Sequence, residues 1–382
     1  MKEEKNITRL LEVAKRRINL LNKDDLNKII DSNEEKMKRK TIVLQDNRQG
    51  FIKNNKTVRS YGTGNFSNFE LGDGPRPHQR FLTKVNGKFH RLELPEKGSF
   101  NAGIIRYDKE KLICVYRPDE NTFTGCYLDN NYNVFEDSYY NFNIEHCADP
   151  RLLWTKDDQL LMVYAHVDNL EFEKEYIRGT IIMEDRFGGS FVEDMSFRIS
   201  PSEIKGRQKN WMPFCHDDKI YLISSVCPHE VYELVDANTC NKVYSTKWSN
   251  PWRIKEHLRG STNPVRLPDG NYLSTFHTAM KHNNKLYYDN GCYLFSGNPP
   301  FNVLKCSIKT YLPAEAACEP PFRKGSDIVC NFTVGMIYEN NKVIISYGDS
   351  DSAVKIVEYR LEDLLNTMVD VVDNNCLVMK KS

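Results

Sequence analysis

The sequence predicts an all-β protein, a five-bladed β-propeller preceded by an N-terminal α-helical extension. Three observations lead to this fold class. An amphipathic helical pattern is confined to the first 45 residues, that periodicity is lost after about residue 98, and a strand–turn–strand pattern then occurs five times. Aromatic residues make up 11% of the chain, which suits strands that pack on one face.

The first 45 residues have the spacing of one or two amphipathic helices. Apolar residues recur at steps of three and four, with charged residues between them: Ile7, Leu10, Leu11, Ala14, Ile18 and Leu21. Such helices either pack against the main domain or form an interface with a partner, so a homo-oligomer through them is one expectation. A polar stretch follows, and residues 46–97 are expected to link the helices to the propeller and to close it.

Five segments share the strand–turn–strand pattern. Each has an apolar strand, a turn of Asp, Asn, Lys or Gly, and a second strand that ends near an aromatic residue. The second strands are expected to begin near residues 112, 160, 220, 272 and 343. One hairpin repeated five times is typical of four-stranded blades around a central channel. The propeller is expected over residues 98–368, with a C-terminal tail at residues 369–382.

Composition excludes several classes of partner. Lys and Arg number 53 against 52 Asp and Glu. The net charge of +1 therefore gives no excess of positive charge for binding nucleic acid or an anionic membrane. No apolar run approaches the ~18 residues of a membrane span. The eleven Cys stand singly, without CxxC pairs, which disfavours a zinc site or a disulfide framework and favours reduced thiols in the cytoplasm. No nucleotide-binding fingerprint occurs, and we expect no cofactor and no metal.

Polar residues cluster near the predicted starts of the innermost strands. In a propeller these strands surround the axis, so their ends meet at one mouth of the channel. We expect the following residues to surround one pocket: Asn101, Arg117, Asp149, Arg151, Lys209, Asn210, Arg259, Ser261, Thr262, His277, Asp349 and Asp351. Carboxylates, cations and a His are the mixture expected for a polyhydroxylated and phosphorylated ligand.

The order of the motifs resembles that of a known family. "FNAG" and "VYR", "DPR", "KNWMPF", "GSTNPV" with "PDGNYL" and "FH", and "ISYGDSD" follow one another along the chain. They are similar to the motifs of the five-bladed β-mannoside phosphorylases of glycoside hydrolase family 130, and to those of related propeller mannosyltransferases. The resemblance covers roughly residues 98–365.

The resemblance implies roles for the "DPR" motif. Asp149 would be the general acid of an inverting reaction and would protonate the glycosidic oxygen through a sugar hydroxyl. Arg151 would bind sugar or orient the carboxylate. Taken alone, the motif is also compatible with an ordinary surface turn. His146 and Cys147 precede it, but strand neighbours point to opposite faces, so we expect Cys147 to pack and His146 to lie at the rim.

The resemblance also implies an anion site. Lys209, Asn210 and His277 match the residues that bind phosphate in the family, but the family has an Arg where this chain has Cys227. A thiol cannot replace a guanidinium as a bidentate partner of phosphate. Arg259 or Arg207 is expected to supply the charge instead.

The remaining predicted contacts concern the sugar. The residues expected to bind it are Asn101, Arg117, Arg151, Ser261, Thr262, Tyr288, Asp349 and Asp351. Asp349 is also the only candidate for the second carboxylate that a hydrolase requires. An Asp-rich segment after a strand is equally compatible with an ordinary turn.

The function expected from the resemblance is mannosyl transfer between a phosphate-activated donor and a sugar acceptor. The enzyme would be a transferase or a phosphorylase, and the missing Arg favours the transferase. Its expected partners are a sugar or oligosaccharide acceptor and phosphate, a sugar 1-phosphate or a nucleotide sugar. The alternatives are a glycoside hydrolase of the same fold and a noncatalytic propeller that binds glycan or protein.

Overall fold

The computed structural model describes residues 85–371 and 374–378, apart from 120, 168–174, 185–190, 194–195, 202–207, 253–257, 283–284, 309 and 313–327. The described chain is all-β, as predicted, with one short α-helix, α1 (Leu361–Leu365). The helical extension predicted for residues 1–45 lies outside the described residues, as does most of the predicted linker.

The described strands form five antiparallel groups. Strand β1 (Lys88–Arg91) comes first in the chain and joins the last group. Sheet 1 contains β2 (Phe100–Arg106), β3 (Leu112–Arg117), β4 (Thr124–Leu128) and β5 (Tyr140–Asn141). Sheet 2 contains β6 (Cys147–Trp154), β7 (Leu160–Val167), β8 (Glu175–Glu184), β9 (Phe191–Glu193) and β10 (Phe197–Pro201). Sheet 3 contains β11 (Met212–His216), β12 (Lys219–Ser225), β13 (His229–Leu234) and β14 (Thr239–Trp248).

The last two groups complete the described part of the chain. Sheet 4 contains β15 (Arg259–Gly260), β16 (Val265–Arg266), β17 (Tyr272–His282), β18 (Lys285–Phe295) and β19 (Val303–Ser307). Sheet 5 contains β20 (Ile328–Glu339), β21 (Lys342–Asp349), β22 (Ala353–Arg360) and β1. Short parallel contacts join β10 to β14 and β18 to β20. Strands β23 (Met368–Asp370) and β24 (Asn374–Val378) pair with β19 and β14.

The five predicted hairpins are confirmed. Their second strands begin at Leu112, Leu160, Lys219, Tyr272 and Lys342. Two of these turns have two successive residues in the left-handed conformation, Asp217 and Asp218 at φ 43° and 68° and Asn340 and Asn341 at φ 50° and 60°. Asp and Asn tolerate this conformation better than most residues, and two such residues in succession match the right-handed twist of the flanking strands.

The hydrophobic core lies between neighbouring sheets. Five clusters of buried side chains each join one sheet to the next among the described residues. Each cluster has members from two neighbouring sheets, and one such pair of members from each, in order around the ring, is Val115 and Leu160, Leu161 and Leu222, Phe214 and Tyr272, Leu294 and Ile345, and Ile344 and Ile104. The last cluster returns to sheet 1, so the sheets pack as a closed ring, which is the arrangement of a β-propeller.

Strand β1 completes sheet 5 next to sheet 1. It pairs with β22 in antiparallel register, and His90 Nε2 lies 3.1 Å from Glu358 Oε1. The His90 ring also meets Tyr132, which follows β4 of sheet 1, edge-on at 4.7 Å. An early strand is therefore held by the last sheet and the first. Among the residues that the structure describes, no helix has the length and apolarity needed to cross a membrane.

The first strands of neighbouring sheets approach each other closely. A Cβ atom on Gly103 of β2 would lie 2.3 Å from the carbonyl oxygen of Pro150 in β6. A Cβ on Gly335 of β20 would lie 2.4 Å from the backbone nitrogen of Ile104. Glycine is required at such positions because backbone atoms have no rotamer by which to move aside.

We expect Gly103→Ala to lower the free energy of unfolding by roughly 1–3 kcal/mol, because the new methyl group overlaps a backbone oxygen. Gly179→Ala is the matched control, since its Cβ would meet the outer edge of the Phe197 ring, a side chain that can move. Urea denaturation measures both variants. An equal loss at both positions would contradict the idea that the backbone contact at Gly103 is the tighter constraint.

His229 is a buried base in the core between sheets 3 and 4. Its side chain is fully buried beside the rings of Tyr293 and Phe295. Burial lowers the pKa of His229 to about 4, against an ordinary value of 6.5. The folded protein therefore holds this imidazole neutral at pH values where the unfolded chain would protonate it.

We expect this difference to reduce stability in acid. The free energy of unfolding should fall as the pH is lowered from about 6.5 towards 4, by about 2 kcal/mol for His229 between pH 7 and pH 5. His229→Phe should remove that part of the pH dependence in urea denaturation. Equal pH slopes for His229→Phe and the wild type would show that His229 is not the source.

Candidate active site

Three polar residues at the entries of first strands have a left-handed backbone. Asn101, Asp149 and Asn210 have φ angles of 49°, 58° and 62°. The pairing of β2 with β3 and of β6 with β7 shifts at Asn101 and Asp149, as in a β-bulge. Bulges turn a side chain away from the face that strand alternation would give it, and they often occur next to active sites.

The Asp149 carboxylate is held by groups of sheet 1. Asn101 Nδ2 donates a hydrogen bond to Asp149 Oδ1 at 3.0 Å, and Arg117 Nη1 lies 3.7 Å from the same oxygen. The Arg117 guanidinium lies over the ring of Phe100, 4.5 Å from its centroid. Asp149 is 8% exposed, so this carboxylate is mostly buried yet still reachable.

Arg151 connects the Asp149 segment to sheet 4. Its Nη1 donates to the carbonyl oxygen of Asp149 at 3.0 Å, and its Nε donates to the carbonyl oxygen of Ser261. The side chain is 1% exposed, and burial lowers its pKa to about 10, an effect that the charge of Asp149 opposes. Arg151 therefore stays charged at neutral pH.

His277 is a neutral base among cations. Its Nδ1 lies 2.9 Å from Ser261 Oγ, and burial holds its pKa well below the usual value. The positive charges of Arg259, Lys209 and Arg151 lower that pKa further. Cations from sheets 2 and 4 and from the segment before sheet 3 thus act on one imidazole, which makes its surroundings suitable for an anion.

Aromatic rings line the same region. The Tyr288 ring lies 5.0 Å from the His277 ring, and Phe332 meets His277 edge-on at 5.0 Å. Burial raises the pKa of Tyr288, and the nearby Cys330, Asp351 and Asp149 raise it further, while Arg259 lowers it. The carboxylate of Asp351 in sheet 5 therefore acts on the same phenol as Asp149 in sheet 2.

Asp351 lies in the turn between β21 and β22. Ser350 and Asp351 both have a left-handed backbone, with φ angles of 50° and 51°. Asp349, just before the turn, is fully buried, and its Oδ2 accepts a hydrogen bond from Lys355 Nζ at 2.8 Å. The carbonyl oxygen of Asp349 also accepts from the backbone and the hydroxyl of Ser352. Asp351 is partly exposed, whereas Asp349 forms a buried ion pair with Lys355.

Some residues that the sequence predicted at the pocket are instead buried among other protein groups. Thr262 is fully buried, and its hydroxyl accepts a hydrogen bond from Thr275 Oγ1 at 3.0 Å. Asn210 is 6% exposed, and its carbonyl oxygen packs against Gly260, beside Arg259. Arg207 lies outside the described residues. Cys147 packs in the core between sheets 1 and 2, as expected.

Three residues at the site were not expected from the sequence: Phe100 beneath Arg117, Phe332 against His277, and Lys355 beside Asp349. Phe100 is part of the quoted "FNAG" motif and Phe332 lies in β20, but both look like ordinary strand residues. Lys355 offered a signal, because a Lys among the alternating apolar residues of "AVKIVEY" points towards the buried side and needs a partner there.

Comparison with protein families matches residues 80–370 to glycoside hydrolase family 130, described as β-1,4-mannooligosaccharide phosphorylase. The chain belongs to this family. The resemblance seen in the sequence motifs is therefore confirmed, and the protein is an enzyme of a family that acts on mannosides. Family 130 includes phosphorylases and related hydrolases.

Solved structures support the fold assignment. A crystal structure from Parabacteroides distasonis is 12% identical, with 76% of this chain and 96% of that chain covered and a TM-score of 0.51. A glycosyl hydrolase from Bacteroides ovatus is 14% identical, with 77% and 94% covered and a TM-score of 0.50. At these identities the similarity shows a shared fold alone. A search of curated proteins found no match.

Cys227, where the resemblance implied an Arg, packs in the interior. The Cys227 thiol donates to the carbonyl oxygen of Trp248 at 3.5 Å and lies against the core between sheets 3 and 4. Burial raises its pKa, so the thiol stays protonated and neutral. Within the described residues, no group of His, Cys, Asp and Glu is arranged to hold a metal ion.

We expect Lys355→Met to lower the free energy of unfolding by about 3–5 kcal/mol, because it leaves the buried Asp349 carboxylate without its cation. The double variant Lys355→Met/Asp349→Asn should recover part of that loss, since no buried charge remains. Urea denaturation of the single and double variants measures the coupling. A double variant no more stable than Lys355→Met would contradict the importance of this ion pair.

Proposed function

We propose that the protein transfers a mannosyl group between a phosphate-activated donor and a sugar acceptor, with inversion at the anomeric carbon. The observation that carries the proposal is the Asp149 carboxylate, held by Asn101 and Arg117 within electrostatic range of Tyr288. The Tyr288 ring lies 5.0 Å from that of His277, whose pKa is lowered by nearby cations. An acid group and a cationic anion site are the two requirements of phosphorolysis and of its reverse.

In phosphorolysis a phosphate oxygen forms a bond to the anomeric carbon from the face opposite the leaving oxygen. The glycosidic bond breaks, and its electron pair goes to the leaving oxygen. A sugar hydroxyl gives its proton to that oxygen and takes one from the carboxylic acid of Asp149, which is left as a carboxylate. The products are a sugar 1-phosphate and a shortened sugar, and in the synthetic direction the Asp149 carboxylate accepts the proton.

Cations and the imidazole are assigned to the phosphate. Lys209 and Arg259 supply positive charge, and His277 supplies a neutral ring. When the Ser261 hydroxyl donates to Nδ1, the proton of the imidazole is on Nε2, which can then donate to an anion. Asn210 completes this set, while Asn101, Arg117, Tyr288 and Asp351 are assigned to the sugar.

The burial of Asp349 and its ion pair with Lys355 favour transfer over hydrolysis. A hydrolase needs a second carboxylate that activates water, and Asp349 was the only candidate in the sequence. Its carboxylate is fully buried and bonded to Lys355. A phosphate nucleophile is already ionised and needs no such base, so the single carboxylate of Asp149 suffices.

The position of Cys227 favours a transferase that works in the synthetic direction. The thiol brings no charge, and Arg259 is the described cation that can replace the family's Arg. The donor is then a mannose 1-phosphate or a nucleotide sugar. We further propose a catalytic domain at residues 98–368, and self-association through the helices expected at residues 1–45.

A cytoplasmic location is part of the proposal. The cysteines that the structure describes are all free, and most are buried. Free thiols in this number support a reducing compartment.

The test is product analysis with mannose 1-phosphate and, separately, GDP-mannose over a panel of sugar acceptors. We expect a new β-linked product, and we expect Asp149→Asn to lower kcat by about 10²- to 10⁴-fold. Asp157→Asn, on the exposed turn after β6, is the matched control and should retain activity. An unchanged rate in Asp149→Asn would overturn the assigned role. Absence of product from either donor, together with retained glycan binding, would indicate a noncatalytic propeller.

A further inference from the structure

Arg151 makes contacts on both sides of the site. Its Nη1 donates to the carbonyl oxygen of Asp149 in sheet 2, and its Nε donates to the carbonyl oxygen of Ser261, which directly follows β15 of sheet 4. Arg151 and Ser261 are 110 positions apart in sequence, so one guanidinium joins two distant segments. Both acceptors are main-chain atoms, which means that Arg151 constrains the backbone of each segment.

The burial of Arg151 argues against contact with sugar. The side chain is 1% exposed, and the two hydrogen bonds to carbonyl oxygens occupy two of its nitrogen atoms. The third nitrogen atom, Nη2, is buried as well, so the guanidinium presents no donor to a ligand. Arg151 therefore acts through the residues that it holds.

Arg151 holds Asp149, the residue assigned as the acid, in a strained backbone conformation. Asp149 has a φ angle of 58°, a conformation that costs an L-residue on the order of 1 kcal/mol. The hydrogen bond to its carbonyl oxygen fixes the peptide that follows, and the side chain then reaches Asn101 Nδ2. Loss of the carbonyl contact would leave the Asp149 backbone free to relax and to move the carboxylate.

Arg151 acts on His277, the residue assigned to the anion, through Ser261. The carbonyl oxygen of Ser261 accepts from Arg151, its backbone N–H donates to the carbonyl of Thr275, and its hydroxyl contacts His277 Nδ1. The partner of Nδ1 determines which nitrogen of a neutral imidazole carries the proton. A displaced Ser261 would therefore change the orientation and the tautomer of His277.

We propose that Arg151 is a positioning residue that fixes Asp149 and His277 relative to each other, so that proton transfer and anion binding occur in one geometry. The inference rests on the proposed function, since it assigns Asp149 to the proton and His277 to the anion. The rigid planar fork of a guanidinium suits this task, because its donors have fixed directions. A Lys at this position keeps the charge and loses the fork.

The kinetic test compares Arg151→Lys with the wild type in synthesis from mannose 1-phosphate. We expect kcat to fall by about 10- to 100-fold, as for a catalytic group displaced by about 1 Å, with a smaller change in the KM of the sugar acceptor. Arg106→Lys is the matched control. Arg106 also joins two sheets, through Glu339, but it lies at the other end of β2 from Asn101. Arg106→Lys should lose stability and keep kcat within about twofold of the wild type.

A second readout needs no activity. In protein with ¹⁵N-labelled histidine, the ring nitrogens of His277 report its tautomer, and His277→Gln identifies the signal. We expect one fixed tautomer in the wild type and a shifted or averaged signal in Arg151→Lys. Ser261→Ala removes the hydroxyl and keeps the carbonyl acceptor of Arg151, so it should change the His277 signal while kcat falls less than in Arg151→Lys.

The outcomes separate the two proposals. Wild-type protein without turnover would overturn the proposed function, and the ¹⁵N signals would still test the contact through Ser261. Turnover in the wild type with an unchanged kcat in a folded Arg151→Lys would overturn the positioning role alone. Unchanged His277 signals in Arg151→Lys would do the same. If Arg151→Lys does not fold, Arg151→Gln, which keeps two N–H donors without charge, gives the same comparison.

Discussion

The close packing of the first strands is the constraint on which the site depends. Each sheet buries one face against the next, and the ring closes where sheet 5 meets sheet 1. Near the axis the backbones come within contact distance, so that Gly103 and Gly335 have no room for a side chain. Asn101 and Asp149 lie near the entries of their strands, where bulges and left-handed backbone conformations turn them out of the regular alternation.

The close packing of the sheets also determines the charges that surround each residue of the site. Residues from different sheets bring several cations to one imidazole, and burial together with those cations keeps His277 neutral. The carboxylates differ in their surroundings. Asp149 meets an amide and a guanidinium while remaining partly accessible, whereas Asp349 is fully buried with Lys355. A buried ion pair is a poor proton acceptor, because removing either charge leaves the other without compensation. Similar side chains therefore have different chemistry according to their depth.

The sequence predicted the hairpins well because their determinants are local. Asp and Asn at the turns, with apolar strands on both sides, specify a hairpin without reference to the rest of the chain. Asp149 was predicted through its motif, and the structure places Asn101 and Arg117 beside it. The surroundings of Thr262 and Asp349 depend on contacts with Thr275 and with Lys355 on the next strand. Such contacts depend on register and depth, which a linear pattern does not contain.

Cys227 stands where the resemblance implied an Arg, and positive charge reaches His277 from other residues. Cys227 follows β12 in sheet 3, and its thiol is directed to the carbonyl oxygen of Trp248 rather than to an anion. Arg259 lies in β15 of sheet 4, directly opposite His277 in the pairing with β17. A cation in that register acts on the imidazole at short range and lowers its pKa. Positive charge is thus supplied from the strand that pairs with the His277 strand, and the same contact favours the neutral ring that the proposed anion site requires.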